Sequence, residues 1–183
     1  MIIKNGCAIL RPIEERDCEL LKFMINDPDI ESGTIGWHYP ISEIQQREWM
    51  RSFKNNDSEI RLMIELTNQK TIGLVSLTNI DWKNRTAAPG YKISASAEDR
   101  IRGDMADALT GLFNYAFNEL GMNCLYSTIL EDNTFSRKLS KKFPWKLEGV
   151  LRQRIFKDGT YKNLIASSML REEFNAIFRP DLI

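Results

Sequence analysis

At 183 residues and 43% apolar content, the chain is long enough to bury a sizeable core in one domain without disulfide or metal staples. Lysine plus arginine equals aspartate plus glutamate at 25 each, so it lacks the cationic excess with which a nucleic-acid binder neutralises phosphates. The three cysteines are scattered and form no Cys-x-x-Cys pair, and no run approaches the roughly 18 apolar residues that span a bilayer. The expectation is a single cytoplasmic domain over 1–183 with no metal, nucleic acid or membrane as partner.

Cys7 to Leu10, ahead of Arg11-Pro12, reads as a first strand. Asp17 is placed to cap a helix through Leu20, Leu21 and Met24, which Asp27-Pro28 stops. A loop rich in glycine and aromatic residues follows from Gly33 to Pro40. Ser42 and Gln45 have capping-box spacing and open a second helix through Ile44, Trp49, Met50 and Phe53. Ile60, Leu62, Ile64 and Leu66 alternate with Arg61, Met63 and Glu65, the period of a strand. A second strand runs from Thr71 to Asp81, and Tyr91-Lys92-Ile93 forms a third beyond a ragged start at Pro89-Gly90.

The stretch from Arg100 to Ala108 then opens an amphipathic helix whose Leu109, Leu112, Phe113, Ala116, Phe117 and Leu120 share one face. Basic residues and one glycine, Gly103, feeding a helix N-terminus suit a phosphate group. Free backbone N–H groups and the positive end of the macrodipole point at it, and a residue without Cβ allows close approach. Gly121 ends the helix, Cys124 to Ile129 is a strand, and Asn133 or Thr134 caps a short helix carrying Phe135, Leu139 and Phe143. Asp158-Gly159 between two apolar runs marks a closing hairpin, Leu147 to Lys157 and Thr160 to Leu170. The fold class is therefore α+β, a mixed and mostly antiparallel sheet of about seven strands flanked by about four helices. One crossover helix joins the fourth and fifth strands, where a ligand crevice is expected.

This order of elements resembles the GNAT superfamily of acyl-CoA-dependent N-acetyltransferases from about Leu10 to Leu170. Arg100-Ile101-Arg102-Gly103-Asp104-Met105 stands where that family carries its coenzyme signature, Arg or Gln, two residues, Gly, one residue, Gly or Ala. Supporting segments are Ile72-Gly73-Leu74-Val75-Ser76-Leu77, Asn84-Arg85, Gly90-Tyr91-Lys92-Ile93, Asn114-Tyr115-Ala116-Phe117, Asn133 with Ser136-Arg137, and Glu148-Gly149. They are most like the branch acting on ribosomal-protein N-termini, polyamines and amino sugars.

The resemblance implies acetyl-CoA as co-substrate and direct attack in a ternary complex by a primary amine: a protein N-terminus, an amino sugar, a polyamine or an aminoglycoside. It places the coenzyme against Ile93, Ser94 and Ala95 (whose backbone N–H groups polarise the thioester), against Arg100, Ile101, Arg102, Gly103, Asp104, Met105 and Ala106, and against Asn133, Ser136 and Arg137. Asn133 serves equally as a helix N-cap, and Arg137 is more simply a solvated charge. Ser140 stands where many members have a tyrosine that serves the leaving thiolate, and an ordinary helix serine is the competing reading.

Trp37, His38 and Tyr39 lie in the loop that lines the acceptor groove, with Trp49 nearby; a local hydrophobic cluster explains the aromatics as well. The lone His38 fits packing or substrate contact better than catalysis. Ala88 occupies the place of a frequent glutamate, so no base is named and a water relay is expected, with Asp81 and Glu65 near the cleft. Met105 is expected to narrow the turn over the pyrophosphate, and Asp104 must point to solvent to be tolerated there. The loop 32–40 has no carboxylate after Glu31, which disfavours a polycationic acceptor. The alternative function is a catalytically inert acyl-CoA-binding or sensor domain of the same fold. The tail 171–183, with Phe174, Ile177 and Phe178, covers either its own sheet or a partner in a homodimer.

Overall fold

The computed structural model describes residues 2–36, 39–54, 56–94, 99 and 101–179. Strands β1 (Ile3–Asn5), β2 (Ala8–Arg11), β3 (Ile60–Leu66), β4 (Thr71–Asp81), β5 (Thr86–Ile93), β6 (Cys124–Leu130), β7 (Lys146–Lys157) and β8 (Thr160–Leu170) form one sheet in the order β1-β2-β3-β4-β5-β6-β8-β7. Every pairing is antiparallel except β5 with β6. The helices are α1 (Cys18–Asn26), α2 (Pro28–Ser32), α3 (Glu43–Ser52), α4 (Asp104–Asn114), α5 (Thr134–Ser140) and α6 (Arg171–Phe178). The architecture matches the expected class, with eight strands for about seven and six helices for about four among the described residues.

The alternation in β3 sorts its side chains between two layers. Leu62, Ile64 and Leu66 join Leu109, Leu112, Phe113 and Phe117 of the α4 layer, while Met63 meets Leu21 and Met24 of α1 on the opposite face. Burying side chains of this size is worth about 1.5–3 kcal/mol each, which makes the α4 layer the centre of the core. Past α4 the helix widens by one residue per turn at Tyr115–Glu119, where the Leu120 N–H donates to the Tyr115 carbonyl at 2.9 Å.

Three elements depart from the sequence expectation. Strand β1 is only three residues long, too short for a period to register. Asp27-Pro28 ends α1 and also begins α2: the Asp27 side chain accepts the Asp29 N–H at 2.8 Å, and proline occupies the first turn, where its missing N–H is harmless. The tail folds back as α6. Phe174 is fully buried against Phe113, Phe117 and Phe178, so it covers the chain's own core.

The joint between β2 and the first helical turn is held by a buried ion cluster. Arg11 forks onto Asp17 with two 2.8 Å hydrogen bonds, gives Nε to Glu65 at 2.7 Å, and places its remaining N–H groups on Pro12 O and Thr71 Oγ1. All five guanidinium donors are satisfied, the condition under which a buried charge is tolerated. Burial pushes the Asp17 carboxyl up, but Arg11 and the Glu14 N–H outweigh it and hold the group below the ordinary range.

Candidate active site

β5 and β6 are paired only at Thr86–Cys124 and Ala87–Leu125, after which the parallel strands part. Residue 89 is proline. The Ser94 N–H donates to Ile72 O at 3.0 Å, toward β4, so alternation along β5 aims the amide positions of residues 89, 91 and 93 toward β6. Pro89 has no N–H to offer there, and the ladder stops one step before it. The sheet parts into a cleft from the point where this donor is missing. The N–H groups of Tyr91 and Ile93 are directed into the opening.

This narrows the polarising group expected among Ile93, Ser94 and Ala95. Ser94's N–H is engaged by Ile72, Ala95 lies outside the described residues, and Ile93 is left as the donor facing the gap. The Ser94 hydroxyl is buried with no hydrogen-bond partner, the one such side-chain atom among the described residues. Gly73 fixes the end of β5. A Cβ there would stand 2.2 Å from the Lys92 carbonyl, so only glycine lets β4 and β5 approach this closely.

The floor of the cleft is built by α5. Asn133 Oδ1 accepts the Ser136 N–H at 2.9 Å, while its Nδ2 donates to Gly33 O at 2.8 Å. Both ends of the amide are therefore occupied: Asn133 caps α5 and ties it to the end of α2, so the capping reading accounts for its side chain. Arg137 is exposed and donates to Glu131 O, as a solvated charge does. Ser140 lines the cleft, but its hydroxyl donates to Arg137 O at 3.0 Å, along its own helix. Tyr91, from β5, donates instead to Ser136 Oγ at 2.8 Å across the cleft. Tyr91 is not among the site residues expected from the sequence, because its partner comes from a helix 45 residues away.

At the N-terminus of α4, Gly103 has φ +94°, a left-handed conformation natural only to glycine, and space beside its Cα is open. Two expectations for its neighbours are corrected. The Met105 side chain is buried in the core at 3% exposure, so it does not overhang the turn. Asp104 is buried as well, not turned to solvent, and its Oδ1 accepts the Met105 N–H at 2.6 Å. Arg102 is exposed, Ile101 packs against the core, and Ala106 lies in the first turn of α4, while Arg100 is outside the described residues. Asp107, one turn into α4, accepts the Cys7 N–H at 2.8 Å and so anchors α4 to the β1–β2 turn.

On the acceptor side, Trp37 and His38 lie outside the described residues, and Tyr39 is 71% exposed. Trp49 stacks on Phe53 at 5.1 Å under the Arg61 guanidinium, a local cluster. Glu65 belongs to the Arg11 cluster, and Asp81 accepts from the Asn84 N–H and side chain; neither faces the cleft. The groove beside β5 has a volume of about 630 Å³, and its lining includes Tyr91, Ile93, Ser94, Asn133 and Ser136. Its wall carries Asp27, Asp29, Asp132 and Asp158 against the two ammonium groups of Lys92 and Lys162. The carboxylates absent from the loop 32–40 are thus supplied to the groove by three other segments. Lys162 bridges Asp132 and Asp158, and burial followed by Arg61 lowers the pKa of Lys92, which favours shedding its charge.

The model of the acetyltransferase (GNAT) domain matches residues 8–144. The putative ribosomal N-acetyltransferase YdaF of Bacillus subtilis is 28% identical over 178 residues, 93% of this chain and 94% of that protein. Spermidine N(1)-acetyltransferase of Escherichia coli is 24% identical over 167 residues, 91% and 88% of the two chains. The crystal structure of spermidine N-acetyltransferase from Vibrio cholerae with CoA and spermine superposes with a TM-score of 0.82 at 22% identity, covering 93% of this chain and 99% of that one. With a family model spanning most of its length, the chain belongs to the GNAT family and is an N-acetyltransferase.

Proposed function

We propose that the protein transfers the acetyl group of acetyl-CoA to a primary amine of a polycationic acceptor such as a polyamine, by direct attack in a ternary complex. The observation that carries the reading is the cleft itself: the Ile93 N–H is aimed into the gap that opens at Pro89, beside the orphaned Ser94 hydroxyl. These groups fit a thioester arm. The fixed amide of Ile93 meets the carbonyl oxygen as it gains charge, without reorganisation. Gly103, with open space beside its Cα, and the exposed Arg102 are the groups left to receive the pyrophosphate, since the Asp104 and Met105 N–H groups are taken by Ile101 O and the Asp104 carboxylate. The acceptor ammonium, near pKa 10.4 in water by analogy with lysine, must lose a proton, and no carboxylate stands at Ala88 to take it. Water in the groove carries that proton out.

Four carboxylates against two ammonium groups support an acceptor with more than one positive charge. The likeness to spermidine acetyltransferases supports the same choice. Release of CoA in the presence of spermidine tests it. Saturable turnover is expected, with Asp29→Asn and Asp132→Asn raising KM for spermidine severalfold and leaving KM for acetyl-CoA unchanged. Turnover of an uncharged-tail amine as efficient as that of spermidine would refute the polycation reading.

A further inference from the structure

Where a tyrosine serves the leaving group in many relatives, this chain has Ser140, whose proton is engaged by Arg137 O at 3.0 Å. The same cleft nevertheless contains a phenol. Tyr91 reaches across from β5 to Ser136 Oγ at 2.8 Å, and Ser127 and Ile129 of β6 form the facing wall. Ser136 is itself fixed, since its N–H is held by Asn133 Oδ1 and Asn133 is held by Gly33. The Tyr91 ring packs edge-on to Phe135 at 6.5 Å, so the phenol has little freedom to swing.

Two hydroxyls bonded to each other hold two protons. When the Ser136 hydroxyl turns to donate to the phenol oxygen, its proton lies in their mutual bond and the Tyr91 proton is released to donate into the cleft, a reversal that the backbone-bound Ser140 has no partner to make. We propose that Tyr91, braced by Ser136, donates the hydrogen bond that stabilises the departing thiolate, the duty otherwise placed at Ser140. The assignment rests on the acetyl-CoA reading above.

The step balances without a proton leaving Tyr91. As the acceptor nitrogen bonds to the acyl carbon, the carbon–sulfur bond breaks and sulfur keeps the electron pair. Burial pushes the Tyr91 phenol above its ordinary value, the Ser136 bond opposing this, whereas a thiol sits near pKa 8.5 by analogy with cysteine. The oxygen is therefore the weaker acid and retains its proton. The thiolate leaves hydrogen-bonded to the phenol, the ammonium proton passes to solvent, and solvent protonates the sulfur on release. Tyr91 is a hydrogen-bond donor here and not a general acid, so its signature is a lowered thiol pKa.

The test titrates the thiol of CoA bound to the protein by its thiolate ultraviolet absorbance, in wild type and in Tyr91→Phe, Ser136→Ala and Ser140→Ala. It needs no knowledge of the acceptor. A hydrogen bond to the charged form is expected to lower the bound thiol by about one unit, a tenfold rise in thiolate fraction at a fixed pH below it. Tyr91→Phe should return the thiol to about its free value with CoA affinity nearly unchanged. Ser136→Ala removes only the brace and should give a smaller rise; Ser140→Ala should give none. Thermal unfolding verifies that each variant is folded, and Ser136→Ala keeps the test alive if Tyr91→Phe is not. A thiol shifted by Ser140→Ala but not by Tyr91→Phe, or one at its free value in the wild-type complex, overturns the assignment alone. Absence of CoA binding to the wild-type protein overturns the acetyl-CoA reading beneath it.

Discussion

Replacing Gly73 by alanine is a perturbation whose size the structure specifies. The added Cβ would lie 2.2 Å from the Lys92 carbonyl oxygen and 3.0 Å from the Ile93 Cα, both backbone atoms that no side-chain rotation can remove. Reaching an ordinary contact near 3.4 Å requires the end of β5 to retreat by about 1 Å. That retreat disturbs the ladder bonds flanking the Gly73–Ile93 pair, the Ser94 N–H bond to Ile72 O among them. Weakening about two hydrogen bonds at about 1 kcal/mol each removes about 2 kcal/mol of stability, or about 4–8 °C of Tm in a chain of this length.

The catalytic effect is the larger one. On the proposed reading Ile93 carries the amide that meets the acyl oxygen, and a misplacement of about 1 Å at such a group lowers the rate by about 10²-fold. CoA release with spermidine, measured beside thermal unfolding, reads both quantities. Gly149→Ala is the control, because nothing lies within 4 Å of its added Cβ, and it should change neither. Unchanged kcat and Tm in Gly73→Ala would refute the close-approach argument. A lower Tm with full kcat would show that the end of β5 does not place the polarising amide.

Arg11→Met leaves Asp17 buried without its fork and should destabilise the protein by about 3–5 kcal/mol in urea unfolding, because an uncompensated buried carboxylate remains. The same pair sets an acid limit. Asp17 is depressed below its ordinary 3.8, so its contribution is fully present above that pH and is lost as pH falls through the lower folded value. Wild-type stability should therefore decline below about pH 3.8, and Asp17→Asn should flatten that decline in acid unfolding. Asn133→Ala removes the α5 cap and the Gly33 tether together and should lower stability by about 1–2 kcal/mol in thermal unfolding.

Most of the framework was legible because local chemistry and long-range packing agree. Asp158 and Gly159 both take positive φ, 52° and 73°, as a tight hairpin turn between apolar strands demands. Ser42 and Gln45 exchange their capping bonds at 3.3 and 2.9 Å as their spacing implied. Other features were hidden by length or by double use. β1 has no room for a period, and Asp27-Pro28 is both a stop and a start. Pro89-Gly90 looked like a poor strand start because proline disrupts a ladder; here the disruption is the cleft.

The site itself was less legible than the frame. Asn133, Ser140 and Arg137 carry suitable groups at suitable spacings, yet their polar atoms are already engaged within α5 and its neighbours. Tyr91 gains its place from a strand register and a helix more than forty residues away in sequence, which no local pattern contains. The four aspartates of the groove likewise converge from separate segments, so scanning one loop could not find them.

Calorimetric titration with acetyl-CoA, of the wild-type protein and of Gly103→Trp, tests the account at its centre. Gly103→Ala accompanies it to separate backbone strain from bulk, since alanine at φ +94° is strained by about 1–2 kcal/mol yet adds nothing that fills the open space. The account predicts micromolar binding to the wild-type protein, retained in large part by Gly103→Ala and lost in a folded Gly103→Trp. No binding to the wild-type protein, or binding indifferent to tryptophan at that position, would contradict it.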